Sequence, residues 1–300
     1  MSPKLYDLAP ERDFVLFNPE TKYLILALTE RFKELEKVKG LKATETFHLD
    51  CLAKNLGQSP SIIEVADCLY NNQQLKWNWK DLLPVVLADC LYPFHADSYH
   101  HSVRMAEIVQ FLKEEYKQRG FANFPDFGNK DFAEITRNLE MTEDDWACLL
   151  AAAYHHDGGK MGLPVGFWNK PGEFNAKEKE CRKVHPGLFF PIGEMLGVPL
   201  KVTALNIAHH YLNLGYPNNG LIKCFQDIIF EPKFKVILIM LITLDCYDGM
   251  RGPRDYRVNL FSHDQVMENL PQELGQMGTI FMPLVELVNS SAIGRQLYPN

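Results

Sequence analysis

The sequence predicts an all-α protein, and three observations support this fold class. Apolar residues recur at intervals of three and four along several long segments, which is the spacing of an amphipathic helix. Residues that favour helix starts and helix ends flank these segments. Alternating polar and apolar stretches, the pattern of half-buried strands, are scarce. We therefore expect a helical bundle.

The predicted helices follow one another along the chain. Segment 21–38 (TKYLILALTERFKELEKV) has amphipathic spacing and a threonine that can cap it, and segment 59–72 (SPSIIEVADCLYNN) begins with a Ser-Pro start signal. Segment 97–120 (DSYHHSVRMAEIVQFLKEEYKQRG) ends with a glycine, and segment 142–157 begins with a threonine followed by acidic residues. Segment 233–249 (KFKVILIMLITLDCYDG) is too long and uninterrupted for a typical strand, so it is predicted to be a buried helix.

Charge and hydropathy exclude two classes of partner. The net charge of −7 argues against general affinity for a nucleic-acid polymer, although local basic clusters can hold a small phosphate-bearing ligand. The longest apolar run, 236–244 (VILIMLITL), is less than half of the ~20 residues that a membrane-spanning helix needs. We therefore expect neither nucleic-acid polymers nor membranes as partners.

The N-terminus and the cysteines indicate the compartment. The first residues, MSPKLYDLAPERD, lack the apolar core of a signal peptide. The seven cysteines lie far apart, mostly beside apolar residues, and form no CxxC pair. This usage is typical of buried, reduced thiols rather than of disulfides or a zinc knuckle. The sequence therefore predicts a cytoplasmic protein.

A domain boundary is predicted near residue 90. Before it the chain has one histidine, His48, whereas eight of the ten histidines fall between His95 and His210. This distribution predicts a helical accessory or regulatory region over residues 1–90 and a domain that carries the chemistry over residues 91–300. No sensory motif is visible in the first region, and a homodimer remains an open alternative to a monomer.

Histidines and carboxylates recur in the second region at spacings that suit metal binding. The series consists of Asp97, His101, His156, Asp157, His185, His209, His210 and Asp245. On a helix, residues four apart such as Asp97 and His101 share a face, whereas consecutive residues diverge by ~100°. The pair His156 and Asp157 therefore suits two neighbouring metals better than one tetrahedral zinc. We expect two metal ions, with a third as an alternative, and a structural role for His155.

The type of ligand narrows the choice of metal. About five imidazoles with two or three carboxylates are too rich in nitrogen for magnesium or calcium, and the thiolates of structural zinc are missing. Iron or manganese is the predicted metal, and zinc is less favoured. Two such ions ~3.5–4 Å apart can hold a hydroxide between them and clamp a phosphoryl centre. Asp157 is the natural bridge between them.

A lysine follows the central His-Asp pair. Lys160 lies three residues after Asp157, from where its ammonium can reach a phosphate oxygen and stabilise the charge that grows during in-line attack. Gly158 and Gly159 can let the backbone approach a ligand. A plain helix C-terminus explains the glycines equally well, and a surface role explains the lysine equally well.

Taken in order, these motifs resemble the HD-GYP family of HD-domain metal-dependent phosphohydrolases. HHSVRMA is similar to the helix that carries the family's first metal histidine, and HHDGGKMGLP is similar to its HD-x-GK-x-G-x-P signature. NKPGEF and VHP match its KPG and HP segments, and HHYLNLGYP carries paired histidines and the GYP triplet. DCYDGMRGPRDYR matches D-x-x-D followed by R-x-Y-R, and GTIFMP resembles the closing segment. The likeness covers about residues 95–290.

The resemblance implies an HD-domain bundle that hydrolyses the phosphodiester of cyclic di-GMP to linear pGpG or GMP, with a metal-bridging hydroxide as nucleophile. The implied metal ligands are His101, His156, Asp157, His185, His209, His210 and Asp245, with Asp97 in the place of a glutamate that supports a third metal. The implied catalytic residues are Lys160 and Asp157. The implied substrate-binding residues are Lys160, Arg254, Arg257 and Tyr216 of the GYP triplet.

The sequence departs from the family pattern at the edge of the site. Residues 211–214 (YLNL) replace a longer Glu-Arg-x-Asp-Gly run, and the connection from Pro217 to Asp245 is longer than usual. These differences leave two alternatives open: a phosphohydrolase for another nucleotide, such as a mixed cyclic dinucleotide, and a sensor that binds metal and cyclic dinucleotide with weak catalysis. The presence of Lys160 counts against the sensor.

Overall fold

All regular elements in the described part of the chain are helices. The computed structural model describes residues 29–30, 33–34, 46–59, 62–65, 68, 78–80, 90–170, 172–210, 222–223, 225–253 and 260–299. The α-helices are α1 (Thr46–Leu56), α2 (Tyr92–Phe94), α3 (Ala96–Arg119), α4 (Lys130–Thr136), α5 (Glu143–His155), α6 (Val165–Trp168), α7 (Ala176–Arg182), α8 (His185–Met195), α9 (Leu200–Ala208), α10 (Gln226–Ile229), α11 (Pro232–Arg251), α12 (His263–Thr279), α13 (Met282–Ser290) and α14 (Ala292–Leu297). Short 3-10 helices cover Phe121–Asn123 and Gly158–Gly162. The predicted all-α class is confirmed.

Local signals account for the ends of the predicted helices. Helix α3 stops before Gly120, whose φ of +66° belongs to the left-handed region that glycine adopts without strain. Helix α5 starts after Thr142, whose side chain accepts the N–H of Asp145 while the Asp145 side chain accepts the N–H of Thr142. Helix α11 starts at Pro232, and the Glu231 side chain caps it. These three helices were predicted from the sequence, and the structure confirms them.

Two predicted helices fall largely outside the described residues. Segment 21–38 is described at four positions only, and segment 59–72 in part. Within the described residues, no helix combines the length and the apolar character that crossing a bilayer requires. The six cysteines in the same part of the chain form no disulfide; Cys90 and Cys181 are buried and the other four are half-buried.

The described residues form two compact units. The first unit comprises the described residues of Met1–Tyr99 together with Asp157–Pro199. The second unit comprises those of His100–His156, Leu200–Asn218 and Ile222–Asn300. The domain boundary that the sequence suggests near residue 90 stays a prediction.

In the first unit, helix α1 supports the 3-10 helix Gly158–Gly162, here called the glycine turn. Helix α1 buries Leu49, Leu52, Ala53 and Leu56, whose spacing places them on one face. Three side chains donate to carbonyls of the glycine turn: Trp168 Nε1 to Lys160 O (2.9 Å), Asn55 Nδ2 to Met161 O (2.6 Å) and His48 Nδ1 to Gly162 O (3.0 Å). The buried backbone of the turn therefore has side-chain partners that hold it in place.

Position 159 requires a glycine, because the backbone of this residue approaches the backbone of His185 and Phe189 closely within the first unit. A Cβ atom at Gly159 would overlap the carbonyl oxygen of His185 and lie 3.0 Å from the backbone nitrogen of Phe189. The glycine turn therefore packs directly on the start of helix α8. Neither of the two explanations that the sequence left open, a ligand contact or a plain helix C-terminus, predicts this contact.

In the second unit, helix α11 is the central element. It packs against helices α5, α12 and α13. Its residues Leu238, Met240, Leu241 and Leu244 are buried, which confirms the predicted buried helix. Because this helix has little solvent-facing surface, its two carboxylates, Asp245 and Asp248, lie inside the unit and need partners there.

Replacing Gly159 with alanine is expected to lower the free energy of unfolding by about 3 kcal/mol, because the new methyl group overlaps a backbone carbonyl. Gly158→Ala is the matched control. Its Cβ would meet the ring of Phe189 at 3.2 Å, and a side chain can shift, so we expect a cost of about 1 kcal/mol or less. Urea denaturation measures both values. Equal costs would contradict the close approach at Gly159.

Candidate functional site

Three candidate ligand histidines are oriented by the same kind of local hydrogen bond. Each follows the end of a helix and directs Nδ1 at a carbonyl three residues earlier: His156 at Ala153 (3.0 Å), His185 at Arg182 (2.7 Å) and His209 at Asn206 (2.5 Å). The last carbonyls of a helix have no partner within the helix, so they are available as acceptors. A carbonyl can only accept, and Nδ1 must therefore carry the proton. The lone pair of each neutral ring then lies on Nε2, the nitrogen that can bind a metal.

In the second unit, three of the candidate ligands converge. Nε2 of His101 lies 2.9 Å from Oδ1 of Asp245 and 2.9 Å from Nε2 of His156. Nε2 of His156 lies 3.5 Å from the same carboxylate oxygen. With metal–ligand bonds of about 2.1 Å, ligand atoms separated by 90° to 110° lie about 3.0 to 3.4 Å apart. The three atoms are thus spaced like ligands of one metal ion.

The charges around Asp245 favour the ionised carboxylate that a metal requires. Burial on its own would raise the pKa of the Asp245 carboxyl, but His156 and His101 hold this pKa well below its usual value. The carboxylate is therefore ionised at neutral pH, as a ligand must be.

His209 and His210 extend this cluster within the second unit. The ring of His209 lies 5.1 Å from that of His156 and 4.0 Å from that of His210, measured between centroids. Ring nitrogens of His209 and His210 lie within 4.8 Å of each other. The second unit therefore brings together five of the predicted ligands, including His101 and Asp245.

In the first unit, the two oxygens of Asp157 have different partners. Oδ1 lies 3.4 Å from Nε2 of His185, a separation that suits two ligands of one metal. Oδ2 accepts a hydrogen bond from Lys160 Nζ at 2.6 Å and one from Ser98 Oγ at 3.2 Å. Lys160 Nζ also donates to Ser98 Oγ at 2.8 Å. The predicted ligands Asp157 and His185 and the predicted catalytic lysine are thus neighbours.

Trp168 packs on this group in the first unit. The ammonium of Lys160 lies 5.1 Å from the centre of the Trp168 ring, within the range of a cation–π contact. The His185 ring meets the same indole edge to face at 5.9 Å. Burial lowers the pKa of the His185 imidazole below its usual value, although Asp157 acts in the opposite direction. A lowered pKa favours the neutral ring that binds metal.

The remaining residues that the sequence singles out are not among those of the two clusters described above. Asp97 is buried in the first turn of helix α3. His155 is buried, and burial lowers its pKa to about 3, so its ring is neutral. The predicted substrate contacts Tyr216, Arg254 and Arg257 lie outside the described residues.

Several residues of the site have no assigned role in the sequence interpretation. Asp248, Arg104 and Tyr298 surround the Nδ1 side of His101, and Ser98 and Trp168 surround Lys160. The first two have sequence signals, because Asp248 follows Asp245 by three residues and Arg104 follows His101 by three, so each pair shares a helix face. Tyr298 and Trp168 have none, because their contacts depend on the tertiary fold.

Comparison with known proteins assigns no family to the chain. No family model matches the sequence, and no curated protein matches it significantly. The chemistry of the site is therefore inferred from the geometry of its residues and from the order of its motifs.

In protein labelled with ¹⁵N-histidine and freed of metal, the neutral rings of His156, His185 and His209 are expected to carry their proton on Nδ1, because each Nδ1 faces a carbonyl. His263 is an internal control. We expect its proton on Nε2, because this nitrogen lies 3.0 Å from the carboxylate of Glu286, which only accepts hydrogen bonds. Two-bond ¹H–¹⁵N correlation spectra distinguish the tautomers. A proton on Nε2 in any of the three rings would contradict the assignment.

Proposed function

We propose that the chain is a metal-dependent phosphodiesterase of the HD-GYP type that hydrolyses a cyclic dinucleotide, first of all cyclic di-GMP, to the linear dinucleotide or GMP. One observation carries the proposal. Nε2 of His101, Nε2 of His156 and Oδ1 of Asp245 form a buried triangle with edges of 2.9, 2.9 and 3.5 Å. Two imidazoles and one carboxylate are a donor set typical of non-haem iron.

We propose a centre of two metal ions, iron or manganese. His156 and Asp157 are consecutive residues, and consecutive side chains diverge, so each suits a different ion or edge of the cluster. The proposed ligands are His101, His156, Asp157, His185, His209, His210 and Asp245, with Asp97 as the candidate for a third ion. When bound, such ions polarise a phosphoryl oxygen and acidify a water molecule.

Lys160 is proposed to stabilise the negative charge that grows on the phosphoryl oxygens during in-line attack. Its ammonium is held by Asp157 at 2.6 Å and by Ser98 at 2.8 Å, and it lies over the Trp168 ring. These contacts fix the direction of a long, flexible side chain. The entropy cost of ordering it is therefore met before the substrate binds.

The order of the motifs supports a cyclic dinucleotide as the substrate. The resemblance implies that Tyr216 of the GYP triplet and Arg254 and Arg257 of the R-x-Y-R segment contact the substrate, and guanidinium groups suit phosphate or guanine edges. The altered segment 211–214 favours a second candidate, hydrolysis of another nucleotide such as a mixed cyclic dinucleotide. A panel of cyclic dinucleotides separates the two candidates.

We propose that the reaction takes place in the cytoplasm. The cysteines in the described part of the chain form no disulfide, and Cys90 and Cys181 are buried. Free thiols and reduced iron both persist in a reducing compartment.

Protein purified without air is expected to hold about two iron or manganese ions per chain and to linearise a cyclic dinucleotide. Asp157→Asn is expected to lower metal content and to reduce hydrolysis at least about 100-fold, because a neutral amide replaces the carboxylate that faces His185. Asp144→Asn, at an exposed position, is the control and should match wild type. Metal analysis and product chromatography are the measurements. Full activity of Asp157→Asn would overturn the proposal.

Lys160→Gln is expected to retain the metal and to lower kcat about 100- to 1,000-fold, because the charge directed at the phosphoryl group is lost. Lys177→Gln, at an exposed position of the same unit, serves as control. Steady-state kinetics and metal analysis of both variants give the comparison. If Lys160→Gln hydrolyses the substrate at the rate of the control, the lysine has no catalytic role.

A further inference from the structure

The carboxylate of Asp248 is completely buried in the second unit and has four donors. Arg104 donates Nε to Oδ1 at 2.8 Å and Nη2 to Oδ2 at 2.8 Å. His101 Nδ1 lies 2.5 Å from Oδ2, and the hydroxyl of Tyr298 donates to Oδ1 at 2.5 Å. Each oxygen thus has two donors, which is close to the full capacity of an ionised carboxylate. The two-pronged ion pair with the Arg104 guanidinium favours the ionised carboxylate.

Asp248 determines which nitrogen of His101 carries the proton. An ionised carboxylate only accepts hydrogen bonds, so Nδ1 of His101 must donate at this 2.5 Å contact. The other nitrogen, Nε2, faces Asp245 and His156. Asp248 therefore fixes both the tautomer and the orientation of the ring.

His101 depends on a side chain for this role because of its place in a helix. His156, His185 and His209 follow helix ends and use carbonyls there. His101 lies inside helix α3, where the carbonyls accept hydrogen bonds from the helix itself. Its orientation consequently depends on whatever holds the carboxylate of Asp248.

Several contacts hold Tyr298 in place. Its N–H donates to the carbonyl of Gly294, and its ring meets that of Tyr247 edge to face at 5.5 Å. The Arg251 guanidinium lies 5.7 Å from the ring centre. Burial and the negative charge of Asp248 raise the pKa of Tyr298 well above its usual value, so the hydroxyl keeps the proton that it donates.

Space for the Arg104 guanidinium is reserved by Gly252. A Cβ atom at this position would overlap the Arg104 side chain and lie 2.8 Å from the carbonyl oxygen of Asp248. Arg104 and Tyr298, which donate to Asp248 together with His101, are therefore both closely packed.

We infer that Tyr298 is a positioning residue for the His101 ligand: with Arg104, its hydroxyl anchors the Asp248 carboxylate, which presents Nε2 of His101 to the metal. The inference rests on the proposed function, because it takes His101 as a metal ligand. It adds a specific role for a residue that lies 50 positions from Asp248 in the chain.

The test is the affinity of metal-free protein for Mn²⁺, measured by the electron paramagnetic resonance signal of the unbound ion. Tyr298→Phe is expected to weaken Mn²⁺ binding about 10-fold, because partners of this kind typically alter metal affinity 10- to 100-fold. The matched control is Tyr247→Phe, which removes a buried hydroxyl that contacts His263 instead of Asp248. We expect the control to bind Mn²⁺ like wild type.

A spectroscopic readout separates positioning from general destabilisation. In ¹⁵N-histidine spectra of metal-free protein, the Nδ1 signal of His101 should shift in Tyr298→Phe and stay in place in Tyr247→Phe, since only the first variant alters the partner of that nitrogen. If Tyr298→Phe does not fold, Arg104→Lys replaces it. Lysine keeps the charge but loses the two-pronged contact with Asp248, and we expect the same weakening of Mn²⁺ binding.

The outcomes distinguish this inference from the proposed function. Wild-type protein that binds no Mn²⁺ would overturn the metal centre and the inference with it. Wild-type binding with equal affinities for Tyr298→Phe and Tyr247→Phe would overturn the positioning role alone. A 10-fold loss restricted to Tyr298→Phe, with the shifted His101 signal, would support it.

Discussion

The orientation of the buried imidazole rings is the constraint on which the rest of the site depends. A neutral imidazole can offer one nitrogen to a metal only when the other carries the proton. His156, His185 and His209 meet this condition because each follows a helix whose last carbonyls lack partners within the helix. One hydrogen bond thus gives a carbonyl at the helix end a partner and fixes the tautomer of the imidazole ring. His101, inside a helix, obtains the same result from the carboxylate of Asp248.

The buried carboxylates impose the second requirement. Asp157, Asp245 and Asp248 are all buried, and an unpaired buried charge costs several kcal/mol. Two of them lie among donors: lysine and serine surround the first, and arginine, histidine and tyrosine surround the third. Removal of Lys160 or Arg104 would take away the cation that balances the buried carboxylate of Asp157 or Asp248. The contacts that stabilise the fold are consequently the same contacts that orient the proposed metal ligands.

Helix α1, which the sequence assigns to an accessory region, supports the turn that carries Lys160, the proposed catalytic lysine. Asn55 and His48 of helix α1 bind carbonyls of the glycine turn, and Trp168 binds the carbonyl of Lys160. These side chains satisfy a buried backbone that has no strand or long helix to pair with. At least part of the region before residue 90 therefore contributes directly to the position of Lys160.

The sequence by itself determined the helical class, the end of helix α3 at Gly120, the start of helix α5 at Thr142, and the residue types suited to metal binding. These features depend on periodicity and on caps, which act over a few neighbouring residues. The tertiary structure alone decided that Ser98 meets Lys160 and that Tyr298 meets Asp248, partners 62 and 50 positions apart. Such contacts follow from how helices pack, and no local pattern encodes them.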